Sequence, residues 1–388
     1  MKNSVFILLL FVFNSMYSQK LIQGVVKDAE TSKPVEYVMV TGNISGKTTV
    51  TNSEGRYQFN MPKEDTKLIF RHLDYFSKEV TVDNGHNINV KILPSAESLD
   101  EIVILTVPLR DEINKAIKTS QANFAKDLKL NTYYRELMYI NGTMYQYEDA
   151  ELNYYLQSIN RSNTIVRESR TVKFTNEEAK KFDSLTSVRY FWGDLRERVS
   201  YEFDFELVKK IINDKEYDLY ITTKKAADGT ELNILNFSPV TNAKNATLTG
   251  TMTYGAKDYL IREIKAGLDP NYLKNSQFQQ QPNHRFKRSF YAKTTLFNLY
   301  NGKYSLTYTA YRIFGVSQVA NQLTKVGGFV ELLVDEVNES FAKPNPQDFF
   351  DSNKLTRLGK NYKTRYWEKY NVVPLTYKEE QMLKQINK

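Results

Sequence analysis

Few side chains in this sequence are equipped for covalent chemistry, and their spacing narrows the field further. There is no cysteine among 388 residues, which removes thiol nucleophiles, disulfide frameworks, zinc ribbons and iron–sulfur clusters. Histidine occurs three times, at His72, His86 and His284. A Ser–His–Asp triad would have to recruit one of these as its base, and each reads as an ordinary surface or edge histidine. Gly-x-Ser-x-Gly, the nucleophile elbow of many hydrolases, occurs nowhere, and Gly42-x-x-Ser45-Gly46 has the wrong spacing. Gly42-Asn-Ile-Ser-Gly-Lys-Thr48 has three residues between its glycines where a phosphate loop needs four, and it leads into a strand instead of opening a helix. It reads as a turn.

Metal and acid–base chemistry fare no better. His72-x-Asp74 on a strand would turn two ligands to one face, but a metal centre needs a third and a fourth, and only His86 lies nearby. No metal or cofactor is expected. Paired carboxylates for glycoside hydrolysis meet in space and leave no spacing signature. Asp194, Glu197, Glu202, Asp204 and Glu206, following Trp192, form an acidic–aromatic cluster that reads as a solvated loop and helix face. With no catalytic constellation, the expected class is a non-enzymatic protein, with an uncharacterised hydrolase as the last alternative.

The charge balance is 53 basic against 45 acidic side chains, a net +8. Basic residues cluster at His284-Arg-Phe-Lys-Arg288 and at Lys354, Arg357, Lys360, Lys363 and Arg365. Residues 1–18 decide what that charge could meet. Lys2 precedes the apolar run Val5–Phe13, and Ser15-Met-Tyr-Ser18 offers a cleavage site, the pattern of a secretory signal. The run is too short to span a bilayer, which takes about 20 apolar residues. Export to the periplasm or the outer membrane is therefore expected, with Gln19 first in the mature chain, and nucleic acid is not expected as a partner. The basic patches then serve solubility or peripheral contact with anionic envelope components.

The elements that would carry any site are mostly strands. Tyr and Phe number 27 and 22, a load that favours strands. From Leu21 to about Pro94 short strands (21–26, 35–40, 56–60, 67–70, 77–82 and 88–93) alternate with turns at 28–34 and 52–55. Strands so closely spaced, with no helical period between them, predict a small antiparallel sandwich over residues 20–94. The stretch Gly24-x-Val26-x-Asp28, then Pro34, then Thr51-x-x-x-Gly55-x-Tyr57, resembles the carboxypeptidase-regulatory-like domain, a transthyretin-type β-sandwich common in exported proteins of the Bacteroidota. The Gly-Tyr pair usual in that family is Asp74-Tyr75 here. The resemblance implies a fold and no peptidase activity. Residues 98–104 are similar to the segment that follows this module in TonB-dependent receptors, but what remains of the chain is too short for a plug and a 22-strand barrel.

After a linker at 95–109, Ile113, Ala116, Ile117, Ser120, Phe124 and Leu128 recur at three-to-four spacing and predict a helix over 109–128. The period then becomes two. Asn141-Gly142, Asp228-Gly229 and Asn301-Gly302 each separate two alternating runs, the strongest short hairpin signal. Thr247, Thr249, Thr251 and Thr253 alternate with Ala246, Leu248, Gly250 and Met252 and predict a strand with one hydroxyl face and one buried face. Shorter helices are expected at 176–184 and 205–212. The prediction for 110–342 is one curved, half-barrel-like antiparallel sheet with packed helices, similar to periplasmic lipoprotein carriers. Residues 343–388 read as a polar tail with a final helix opened by the capping box Thr376-x-x-Glu379. The whole is a mainly β (α+β) protein. Its expected role is an envelope binding or structural module with a protein or apolar partner and no defined oligomeric state. The alternative is a carrier or sensor of a lipid-like ligand, with Ile113, Ile117 and Phe124 lining an apolar groove.

Overall fold

The aromatic, β-branched runs are realised as strands in three sheets. The computed structural model describes residues 20–83, 85–95, 101–159, 161–173, 194–226, 228–281, 284–300, 302–352, 355, 358, 365–368 and 370–386. The expected signal, the middle of the linker (96–100), the helical stretch at 176–184, Trp192 and the basic tail residues Lys354, Arg357, Lys360 and Lys363 lie outside these. Among the described residues no helix is long and apolar enough to cross a membrane.

The sandwich comprises β1 (Lys20–Asp28), β2 (Met39–Gly42), β3 (Thr48–Val50), β4 (Arg56–Met61), β5 (Lys67–His72), β6 (Tyr75–Thr81) and β7 (Val90–Ile92). They form sheets ordered β4-β1-β7 and β3-β2-β5-β6 around Ile22, Val26, Val40, Phe59, Leu68 and Phe70. Two expectations need correction. β7 runs parallel to β1, so the sandwich is mixed and not purely antiparallel. Residues 35–38 are not strand: Tyr37 has φ 62°, which interrupts extended pairing, although Val35 and Val38 are still buried.

The motif residues have local mechanical roles. A Cβ on Gly24 would sit 1.9 Å from the Ile88 carbonyl oxygen, so only glycine permits that approach. Asp28 Oδ1 accepts from the Glu30 and Thr31 amides at 2.8 and 2.7 Å, closing the following turn. Tyr75 donates its hydroxyl to the other oxygen of Asp28 at 3.0 Å.

The second part contains β8 (Glu101–Ile102), α1 (Leu109–Ala122), β9 (Leu128–Ile140), β10 (Thr143–Ser158), β11 (Arg161–Lys173), α2 (Arg198–Phe203) and α3 (Glu206–Asn213). There follow β12 (Tyr217–Lys225), β13 (Glu231–Pro239), β14 (Leu248–Gly255), β15 (Ile261–Leu268), α4 (Pro270–Asn275) and β16 (Gln279–Gln280). β17 (Arg285–Tyr300), β18 (Lys303–Val319), β19 (Gln322–Asn338) and α5 (Tyr377–Ile386) complete it. One curved sheet runs β11-β10-β9-β19-β18-β17-β15-β14-β13-β12-β8, open at both edges. Gly142, Gly229 and Gly302 turn its predicted hairpins at φ 83°, 86° and 78°. The helix prediction ran too far: α1 stops at Ala122, and Phe124 forms an isolated bridge with Tyr304. On β14 Thr253 is as buried as its neighbours, so the hydroxyl face is not uniformly exposed.

Both faces of the sheet are covered, by different parts of the chain. Leu130 and Tyr134 of β9, Leu152 and Tyr154 of β10 and Leu332 of β19 pack with Ile113, Ile117, Val199, Phe203 and Val208 of α1, α2 and α3. Tyr133 and Leu137 of β9, Tyr308 of β18 and Leu333 of β19 belong to the opposite face. They pack with Val50 of the sandwich and with Trp367, Val373 and Leu383 of the C-terminal segment. The tail is thus an apolar cover for the sheet and not a solvated appendage.

Candidate functional site

The sandwich-facing side of the sheet carries a row of charges that register alone brings together. Directly opposed residues in an antiparallel sheet point to one face. Arg170 of β11 lies opposite Asp149 of β10, Asp149 opposite Arg135 of β9, and Arg135 opposite Glu331 of β19. The result is a ladder of alternating sign across four strands. Asp149 is paired with Arg170 and accepts from the hydroxyls of Tyr133 and Tyr147 at 3.1 and 2.6 Å. Glu331 is paired with Arg135 and accepts from Tyr308 at 2.6 Å. Burial, the largest single influence, would lower the Arg135 pKa, but Glu331 together with Tyr133, Glu379 and Tyr147 outweighs it and keeps the guanidinium charged. Burial raises the Tyr133 and Tyr147 phenols, and Asp149 adds to the rise, so both remain protonated donors.

The C-terminal segment lies across this ladder. Arg135 Nη1 donates to the Val373 carbonyl at 2.7 Å, and the Arg170 guanidinium stacks 4.2 Å from the Trp367 ring centre. The same segment is tied to the sandwich. Arg56 donates to the Leu375 carbonyl at 3.2 Å and pairs with Glu380 at 2.8 Å, while Asn371 accepts from the Asn60 amide at 2.6 Å. Sandwich, sheet and tail enclose a cavity of about 530 Å³ between them, lined by Arg56, Arg135, Arg170, Tyr133, Tyr147 and residues 372–375. The sandwich contributes Gln23, Gln58, Asn87 and Asn89 to its wall. Arg135 is 2% exposed and its Nε has no hydrogen-bond partner. The cavity can therefore offer guanidinium, amide and phenol groups to a polar ligand.

Two further cavities are more apolar. One of about 520 Å³ lies beside α5, among Tyr139, Phe314, Val316, Val326 and Met382, with Lys325 and Lys378 also in its wall. Another, of about 240 Å³, lies between β5 and the sheet, among Tyr37, Met39, His72, Leu296 and Leu299.

The residues singled out from sequence fall elsewhere. Ile113, Ile117 and Phe124 are 0%, 2% and 4% exposed in the core under the helices, and none lines these three cavities. The Gly42–Thr48 turn has its amides in use: Asp65 accepts from Ile44 and Ser45 at 2.7 and 2.8 Å. His72 is no surface residue. Burial first, then Lys265, lowers it to about 4, and its Nδ1 accepts from the Asp74 amide at 3.1 Å. Asp74 pairs with Lys224 at 2.5 Å. His284 is likewise buried, while His86 contacts the Leu21 carbonyl at 3.2 Å. Among the described residues no three of His, Asp and Glu gather to hold a metal ion.

Of the acidic cluster, Asp194 caps the short turn at Leu195–Glu197, and Glu206 pairs with Lys210 on the surface. Glu202 is the exception. It is 1% exposed, paired with Lys293 at 2.9 Å and hydrogen-bonded by Thr295 and Tyr311. Sequence reasoning missed the ladder entirely. Its only trace is a charge inside an apolar run, as in Tyr133-Tyr-Arg-Glu-Leu137 and Phe329-Val-Glu-Leu-Leu333.

Residues 22–104 match the CarboxypepD_reg-like domain, so the sandwich is a domain of that family. No curated protein matches the chain. Among solved structures, "Lipid-protein interactions in lipovitellin" is 7% identical with a TM-score of 0.25, over 57% of this chain and 26% of that one. This chain thus spans about a quarter of that protein. A DUF1329 family protein from Desulfovibrio piger is 11% identical with a TM-score of 0.25, over 62% of this chain and 96% of that one. Neither score carries an argument.

Proposed function

We propose that the protein is an exported, non-enzymatic binding protein of the cell envelope, whose site is the cavity between sandwich, charge ladder and tail. The signal-like N-terminus supports export. The observation that carries the binding reading is the cavity itself, framed by three separate parts of the chain and lined by the buried Arg135, whose Nε has no hydrogen-bond partner. Buried polar groups without partners are uncommon, and concave sites with a few convergent polar groups are where ligands bind. Native mass spectrometry of the mature protein taken from its own cell envelope should show a bound small molecule. A bare polypeptide mass would count against the reading, and residues 1–18 retained in a membrane pellet would count against export.

A second reading, a carrier of an apolar ligand, is favoured by one observation. The cavity beside α5 is walled mainly by apolar side chains, with Lys325 and Lys378 placed to meet an anionic headgroup. Its site is not the groove expected beside α1. A fluorescent fatty acid should compete there, and Val326→Glu should abolish uptake if it does.

A further inference from the structure

We propose that the ligand of the ladder cavity is a small hydroxyl-rich carboxylate, an acidic sugar unit, and that it competes with the C-terminal segment for the arginines. This rests on the binding reading above and adds the ligand class and its coupling to the tail. Tail atoms already occupy the positions an anion would take. The Val373 carbonyl sits on Arg135, and the Leu375 carbonyl and the Glu380 carboxylate sit on Arg56, 2.7 to 3.2 Å away. One segment thus supplies three acceptors to two guanidinium groups from different domains, as a carboxylate ligand would.

The donor balance gives the class. Among the described lining residues there are three arginines, and Glu380 is the one carboxylate. Asp149 and Glu331 pair with the ladder arginines but do not line it. Planar guanidinium groups match a carboxylate in a two-point contact. The sandwich wall presents Gln58, Asn87 and Asn89, whose amides both donate and accept, as a hydroxyl does. A volume of about 530 Å³ has room for a sugar unit, and drug-sized ligands occupy cavities of this order. Entry of the ligand's carboxylate displaces Glu380 and the tail carbonyls, so ligand binding frees the tail from the sandwich.

The experiment titrates the full mature chain with galacturonic acid, galactose and inorganic phosphate by calorimetry, and follows cleavage of the tail by trypsin at Lys378 and Lys384. The variants are Arg56→Gln and Glu380→Gln, at positions exposed enough to leave the fold intact, checked by thermal melting. Galacturonic acid should bind, about tenfold more weakly in Arg56→Gln and several-fold more tightly in Glu380→Gln, and should speed tail cleavage. Equal binding of galactose would overturn the need for a carboxylate, and equal binding of phosphate would overturn the sugar class. Binding that leaves tail cleavage and the Glu380→Gln affinity unchanged would overturn the competition. If galacturonic acid fails to bind while native mass spectrometry shows another bound molecule, this inference fails and the binding reading stands.

Discussion

The two faces of the large sheet are both covered, but by different means. The helix face is covered by α1, α2 and α3, short segments from the middle of the chain, and its contacts are mainly apolar. The sandwich face is covered by the two ends of the chain, and its contacts include the charge ladder and the cross-domain pairs Arg312–Glu36 and Lys224–Asp74. An apolar core is held by area removed from water and has no tolerance for an unpaired charge. A docked face with paired charges and cavities can be opened at lower cost, which suits ligand entry. The difference puts the more apolar core on one side of the sheet and, on the binding reading proposed above, the site on the other.

The sharpest way to break this comparison is to put a charge on each side. Ile117→Glu would bury a carboxylate among Phe203, Leu332 and their neighbours with no partner. The cost should exceed 4 kcal/mol, enough to remove most of the stability of an ordinary domain. No cooperative melt by circular dichroism is expected, and a variant melting near the wild-type temperature would mean the helix face is not a closed core. Glu202→Ala tests a strongly buried ion pair on that side. It leaves Lys293 uncompensated and should cost about 3–5 kcal/mol in chemical denaturation. A loss under 1 kcal/mol would show water reaching Lys293.

How far this contrast could be read in advance depends on whether the signal was local. The hairpin turns were legible because Asn-Gly and Asp-Gly meet a backbone demand within two residues: Asn141 and Gly142 both have positive φ. The sandwich motif was legible because Gly24 and Asp28 each solve a packing or turn problem nearby. The end of α1 was misplaced for a physical reason. Phe124 and Leu128 continue the apolar spacing, but they enter the same core from a loop and from β9, after Asn123 has closed the helix by donating to the Thr119 carbonyl. The ladder was not legible because Arg135 and Glu331, far apart in sequence, become neighbours only once β9 and β19 adopt their register. The tail's cover was missed because its apolar contacts, Trp367, Val373 and Leu383, are scattered among charges.

Next in expected size is a pH effect confined to the sandwich face. Asp335 is buried, and burial raises its carboxyl to about 8; Lys47 opposes the rise and Glu336 and Glu151 add to it. Tyr370 of the tail donates to it at 3.1 Å. The folded state therefore holds a proton that the unfolded chain releases near 4. Between about pH 4 and pH 8 the folded state binds more protons, so this carboxyl lowers stability as pH rises, by at most about 1.4 kcal/mol per unit, with no further change above 8. Glu151, raised to about 6 chiefly by burial, acts in the same sense below that pH. Asp335→Asn keeps an acceptor for Tyr370 and removes the titration. Its stability relative to wild type should climb from pH 5 to pH 8 by up to about 4 kcal/mol. A difference flat across that range would show the carboxyl ionised at neutral pH.

The smallest effect concerns the pair that fastens the tail to the sandwich. Arg56 and Glu380 meet at 2.8 Å, but their side chains are 34% and 29% exposed, so water and salt weaken the attraction. A double-mutant cycle with Arg56→Gln and Glu380→Gln should give a coupling of about 0.5 kcal/mol in global unfolding, less in high salt. The same pair should weigh more in local opening, because it is one of the bonds that fasten the tail to the sandwich. Asn52 donates to the carbonyls of Pro374 and Leu375, and the Tyr377 amide donates to Glu54. Hydrogen exchange of the α5 amides should then quicken severalfold in either variant, while exchange in α1 stays unchanged. Equal quickening in both helices would mean the two faces open together, and the division between a stable face and an opening one would be lost.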